Sequence, residues 1–184
     1  IVPSHEQPPE EPGSVCVSLD PGLAFGTGTH PSTALCLTWL DSRLPPAAEV
    51  IDYGCGSGVL AIAAAKLGAS SAQAFDIDPQ ALIATRDNAQ VNGVQHIIAV
   101  HETAASLRAP VDVVLANILA GTLVELAPQL CGLLRPGGQL VLAGILKQQA
   151  HEVRAGFANW MDLAVFAERD GWSALSGTLQ GTDA

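Results

Sequence analysis

Val50-Ile51-Asp52-Tyr53-Gly54-Cys55-Gly56-Ser57-Gly58-Val59 carries the clearest signal in this chain. A buried strand runs into three glycines and then into the apolar start of a helix. Backbone N–H groups in such a turn can approach a ligand that side chains would exclude, and the helix N-terminus behind them favours negative charge. The glycines stand at 54, 56 and 58, giving GxGxG where dinucleotide binders carry GxGxxG. An acid, Asp52, precedes the first glycine by two positions. A tight strand-to-helix turn with no ligand is the bland alternative.

Asp76 follows Gly54 by 22 residues and ends the next strand. A carboxylate there can accept both hydroxyls of a ribose. Asp78 stands before Pro79 at a helix start, the pattern of an N-cap with proline in the first helical position. Beyond this unit strands and helices alternate. Strands are expected over 50–53, 72–76, 97–101, 111–116 and 139–143, and helices over 59–67, 79–91, 119–134 and 147–160. Most of these strands have no polar face, which marks parallel strands covered by helices on both sides. The runs 163–168 and 172–178 flank Arg169-Asp170-Gly171, an antiparallel hairpin signal. Upstream lie a strand over 15–19, a turn at Asp20-Pro21-Gly22, a Gly/Thr-rich loop from Phe25 to Pro31 and a helix over 32–44. Pro45-Pro46 stops that helix. The expected fold is α/β, a doubly wound Rossmann-like, mostly parallel sheet with a C-terminal antiparallel hairpin. Residues 1–14, rich in Pro and Glu, read as a linker or N-terminal extension, and 15–184 as the catalytic domain.

Composition narrows the function. The 184 residues carry 8 basic and 18 acidic side chains, a net charge of −10. That is the wrong sign for a nucleic-acid footprint, so no direct nucleic-acid binding is expected. Apolar residues make up 48% and charged ones 14%, which excludes global disorder. Cys16, Cys36, Cys55 and Cys131 form no CxxC pair. A zinc site and a disulfide framework are therefore not expected, and a reducing, cytoplasmic setting is. His5, His96, His101 and His151 lack metal-ligand spacing. No run is apolar enough to suggest a membrane span. The first residue is Ile1 rather than Met, as in a processed chain or a fragment.

The motif DxGxGxG, the acid Asp76 and the run Leu134-Arg135-Pro136-Gly137-Gly138 together resemble class I S-adenosylmethionine-dependent methyltransferases. That resemblance implies a seven-stranded sheet, six strands parallel and one antiparallel, with S-adenosylmethionine as methyl donor and no metal. Two further stretches narrow it: Asp20-Pro21-Gly22-Leu23-Ala24-Phe25-Gly26-Thr27-Gly28-Thr29-His30-Pro31-Ser32-Thr33 and Ala116-Asn117-Ile118-Leu119-Ala120-Gly121. Both are similar to the catalytic domain of the bacterial PrmA family of ribosomal-protein methyltransferases. The family carries an additional N-terminal substrate-recognition domain. Its cofactor contacts fall on Thr33, Gly54, Asp76 and Asn117, with Gly56 in the same glycine loop. Phe25 is placed either against the cofactor or in the core. The adenine contact stays open among Glu102, a backbone group and Ala104.

What stands after the fourth central strand restricts the acceptor. Enzymes that methylate planar amide or base nitrogens often carry Asn-Pro-Pro and an aromatic there, whereas this chain has Asn117-Ile118-Leu119. That disfavours adenine or glutamine as acceptor and allows a tetrahedral amine, which the Asn117 side-chain oxygen or a nearby backbone carbonyl would orient. The resemblance makes the acceptor a lysine side chain or N-terminal amine of a large-subunit ribosomal protein; separately, a monomer is expected. His30 is the nearest candidate for a general base, and a structural role is open to it too. Two alternatives keep the fold: a methyltransferase acting on another protein or a small molecule, and a non-catalytic S-adenosylmethionine-binding module.

Overall fold

The computed structural model describes residues 1–3, 14–19 and 28–181. The turn at Asp20-Pro21-Gly22, the chain from there through Thr27 and most of the expected linker lie outside them. Two short strands come first, β1 (Val2–Pro3) and β2 (Ser18–Leu19), paired in parallel. The start of the stretch expected to be linker is therefore paired, and the strand expected over 15–19 shortens to its last two residues. Asn92 fastens β2 to the body, donating through Nδ2 to Ser18 O (2.6 Å) and accepting from Ser18 N–H (2.9 Å).

Helix α1 (Pro31–Arg43) leads into the alternating part: β3 (Glu49–Tyr53), α2 (Val59–Lys66), β4 (Ser71–Phe75), α3 (Pro79–Val91), β5 (Ile98–His101) and β6 (Val111–Asn117). Then follow α4 (Ala120–Glu125), α5 (Ala127–Gly132), β7 (Leu134–Leu146), α6 (Ala150–Phe157), β8 (Ala164–Arg169) and β9 (Trp172–Thr178). The strands form one seven-stranded sheet in the order β5-β4-β3-β6-β7-β9-β8. All neighbouring pairs are parallel except those of β9, which runs against both β7 and β8.

Both faces of the sheet are buried, and alternate residues show it. Val50, Val113 and Leu115 join Trp39, Leu40 and Ile62 in one core, on the side of α1, α2 and α3. Their neighbours Ile51, Val114 and Ala116 join Leu123, Leu130 and Phe157 in the other, beneath α4, α5 and α6. Continuous apolar strands are the result of this two-sided burial. Among the described residues no helix is long and apolar enough to cross a membrane.

Three further elements differ from the sequence reading by more than a residue or two. The helix expected over 119–134 is two helices, α4 and α5, with Pro128 in the first turn of the second. Proline cannot donate back to the preceding turn, so the chain restarts. Strand β7 begins at Leu134 rather than 139, because Pro136-Gly137-Gly138 is absorbed as an irregularity opposite Val111 and Val113. The helix expected over 147–160 is a single 3-10 turn, Lys147–Gln149, followed by the shorter α6.

Candidate functional site

The strand order reverses between β3 and β6, and the crevice outside the carboxyl ends of strands at such a switch point is where open α/β sheets hold ligands. The glycine loop leaves β3 there. Phe75 O accepts from both Gly54 N–H (2.7 Å) and Cys55 N–H (3.0 Å), which clamps the loop to the end of β4. Gly54 has φ 82°, and a Cβ on it would lie 2.5 Å from Ile118 Cγ2. Glycine here is thus demanded by the fold as well as by any ligand.

Asp76 stands at the end of β4 and is already a structural acceptor. Its Oδ2 takes Gly56 N–H at 2.9 Å and its Oδ1 takes Asp78 N–H at 3.0 Å. Each carboxylate oxygen keeps a further lone pair for a ligand hydroxyl. Asp78 caps α3, accepting from Gln80 N–H at 2.9 Å with Pro79 in the first helical position.

A cavity of about 380 Å³ opens on these groups. Thr33, Gly54, Gly56, Asp76 and Asn117 all line it, together with His30, Ser32, Cys55, Val59, Leu60, Ile118, Leu119, Gly144 and Trp172. Asn117, the last residue of β6, donates through Nδ2 to Thr33 Oγ1 at 3.1 Å, so α1 and β6 orient one another. That bond uses one of the two amide N–H donors, and Oδ1, which has no hydrogen-bond partner among the described residues, can accept. His30 is the N-cap of α1: Nδ1 accepts from Ser32 N–H (3.3 Å) and lies 2.8 Å from Ser32 Oγ. With Nδ1 accepting, the neutral ring carries its proton on Nε2, which makes it a donor and a poor general base.

Asp52 lies beneath the loop, fully buried. Its Oδ2 accepts from Ala61 N–H in the first turn of α2 (3.1 Å), and its Oδ1 has no partner among the described residues. Burial pushes its carboxyl up to about 7; the Ala61 N–H opposes this and the negative charge of Asp76 adds to it. Burial likewise raises the Cys55 thiol, aided by Asp52, and its Sγ sits 3.3 Å from Thr85 Oγ1.

Some residues singled out in the sequence are not brought into the cavity. Glu102 is exposed and pairs with Arg86 at 3.7 Å, and Ala104 stands in a 3-10 turn packed on the core. Arg135 of the Leu134-Arg135-Pro136-Gly137-Gly138 run joins Glu49 and Asp112 (3.0 Å) at the amino ends of β3, β6 and β7, far from the cavity. Phe25 falls outside the described residues. Conversely, the sequence reading missed Gly144 and Trp172. A Cβ on Gly144 would sit 2.3 Å from Ile118 O, so β7 needs a glycine to let the segment after Asn117 pass. Its signal was a lone glycine inside an apolar strand.

Residues 1–180 match the profile of the family described as ribosomal protein L11 methyltransferase (PrmA). The chain belongs to this family. The ribosomal protein L11 methyltransferase of Azotobacter vinelandii is 58% identical over 178 residues, which are 96% of this chain and 61% of that protein. The chain thus spans about three fifths of the length of the curated PrmA relatives it matches. A crystal structure of the ribosomal protein L11 methylase of Lactobacillus delbrueckii subsp. bulgaricus superposes with a TM-score of 0.88 at 34% identity, covering 98% of this chain and 94% of that one. An RNA methyltransferase of Salinibacter ruber, crystallised with S-adenosyl-L-homocysteine, shares the fold at 19% identity and a TM-score of 0.65, over 84% of this chain and 95% of that one.

Proposed function

We propose that this chain is the catalytic part of a protein-amine methyltransferase. It takes methyl groups from S-adenosylmethionine and places them on amine nitrogens, lysine side chains and the N-terminal amine, of a large-subunit ribosomal protein. The observation that carries the reading is the gathering of a ribose-competent carboxylate, a glycine loop and an amide oxygen with no hydrogen-bond partner among the described residues around one cavity at the switch point of a PrmA-family sheet.

The residues fit the donor. The cavity's volume lies within the ~300–1,000 Å³ of small-molecule sites. Asp76 would take the ribose hydroxyls, the backbone at Gly54 and Gly56 would lie along the methionine part, and Thr33 with Asn117 would close the other side. When bound, the donor supplies a methyl group already activated on a sulfonium, so the protein has mainly to align the acceptor.

That acceptor must be neutral. With reference values of ~10.4 for lysine and ~7.7–8.0 for an α-amine, the free amine at pH 8 costs about 3 kcal/mol for lysine and almost nothing for a terminus. Ile118 and Leu119 bring apolar surface to the cavity, which disfavours the ammonium form. Asn117 Oδ1 orients the amine by accepting one of its N–H bonds. No general base is required of His30.

Recognition of the ribosomal protein is a separate matter, because a tethered recognition domain raises the local concentration of its target, often to millimolar values. Mass spectrometry after incubation with S-adenosylmethionine tests the reading. Short lysine or N-terminal-amine peptides at millimolar concentration should gain methyl groups, while the intact ribosomal protein at micromolar concentration should be modified slowly. Failure to methylate any amine while the donor still binds would overturn it.

A further inference from the structure

The cavity runs along the carboxyl edge of five neighbouring strands. Asp76 follows β4, Gly54 follows β3, Asn117 ends β6, Gly144 lies in β7 and Trp172 opens β9. At ~4.8 Å per strand, four steps set the acid and the indole on the order of 19 Å apart. Trp172 reaches this edge only because β9 runs antiparallel, so that its first residue lies where the other strands end.

The indole is braced. Its ring meets His30 edge-on, with centroids 4.7 Å apart at 72°, and His30 is pinned by Ser32. Part of Trp172 packs on the core below, and the remainder faces the cavity. Among the described lining residues it is the one indole, phenyl or phenol ring, and Asp76 at the other end is the one carboxylate.

Resting on the amine reading above, which assigns the Asp76 end to the ribose, we propose that Trp172 is a specificity-determining residue at the acceptor end. Its π face holds the positive charge that the acceptor nitrogen gains with each methyl. In each transfer the nitrogen lone pair forms the new bond to the methyl carbon, the carbon–sulfur pair stays on sulfur, and the nitrogen becomes cationic. It then loses a proton to water before it can accept again. A quaternary nitrogen has no N–H left to donate to Asn117 Oδ1, and an aromatic face is the contact that still recognises it. Neutral acceptors of the same shape keep the van der Waals contact with that face but lack the electrostatic attraction.

Calorimetry on the chain loaded with S-adenosylhomocysteine tests this with two short peptides. One carries trimethyllysine, the other its neutral isostere with a tert-butyl carbon in place of the nitrogen. The wild-type chain should bind the cation about fivefold tighter or more. Trp172→Leu should bring the ratio to about one while binding S-adenosylhomocysteine within about twofold of wild type, and Trp172→Phe should keep most of the preference. If Trp172→Leu no longer binds S-adenosylhomocysteine, Trp172→Phe decides, and its ratio should fall about twofold because Trp is the stronger π partner. A wild-type ratio near one, or a ratio undiminished in the decisive variant, overturns the inference. If the wild type shows no preference yet methylates lysine peptides, the amine reading survives without it. A wild type that methylates no amine removes both.

Discussion

Replacing Asp76 by alanine separates two jobs that one carboxylate performs. In the ligand-free chain it accepts Gly56 N–H and Asp78 N–H, at 2.9 and 3.0 Å. Losing both ties at a half-buried position should cost ~1–2 kcal/mol and lower the Tm by about 2–8 °C. The proposed ribose contacts come on top of this. Two hydrogen bonds to an ionised group at ~1.5 kcal/mol each amount to ~3 kcal/mol, a roughly 150-fold rise in the Kd for S-adenosylhomocysteine. Asp78→Ala is the control, because it removes the N-cap of α3 at a cost of ~1 kcal/mol without touching the cavity lining. Calorimetric titration beside a thermal melt should show both variants less stable but only Asp76→Ala impaired in binding. Unchanged affinity in a folded Asp76→Ala chain would refute the ribose assignment. Equal loss in Asp78→Ala would show that loop stability, not the carboxylate, sets affinity.

Gly144→Ala should lower the Tm on the order of 10 °C and weaken donor binding, because the new Cβ meets Ile118 O at 2.3 Å and φ is 79°; scanning fluorimetry with titration checks it, and a wild-type melt contradicts it. Asn117→Ala should reduce kcat more than tenfold while raising the Kd for S-adenosylhomocysteine less than about fivefold, as expected of a group that matters most at the transition state. Equal losses would make it a plain cofactor contact. Asp52 has its folded-state carboxyl raised to about 7 by burial, from an ordinary 3.8, so the folded chain holds more protons than the unfolded one between those values. Stability from this group therefore falls as pH rises from about 4 to about 7 and stays low above. Asp52→Asn should gain on wild type across that window in melts at pH 5, 6, 7 and 8, and parallel pH profiles would count against a protonated Asp52.

Much of this was legible because the signals are local. GxGxG, an acid 22 residues on and Asp78-Pro79 each name a backbone geometry that neighbouring residues enforce; the structure puts Gly54, Gly56 and Asp76 on one cavity and Asp78-Pro79 at the start of α3. The continuous apolar strands gave the two-sided sheet for the same reason. Trp172 was not legible, since its place at the carboxyl edge depends on β9 inserting between β7 and β8, a non-local choice. Nor was the second acceptor role of Asp76 toward Gly56, which arises only when β3 and β4 pair. Helix 119–134 was overread because apolar periodicity continues through Leu126, and Pro128 weighs more than that pattern. His30 is a different case: position leaves a base and a structural role open to it, and the Nδ1 bond from Ser32 N–H gives it the structural one, as the cap of α1.

A crystal structure of this chain with S-adenosylhomocysteine tests the central claim most directly. The account predicts the ribose hydroxyls on Asp76, the homocysteine part along Gly54 and Gly56, and the sulfur directed toward the Asn117 end of the cavity with Trp172 beyond it. A ligand bound in the reverse sense, with its amino-acid end at Asp76, or bound outside this cavity, would contradict it.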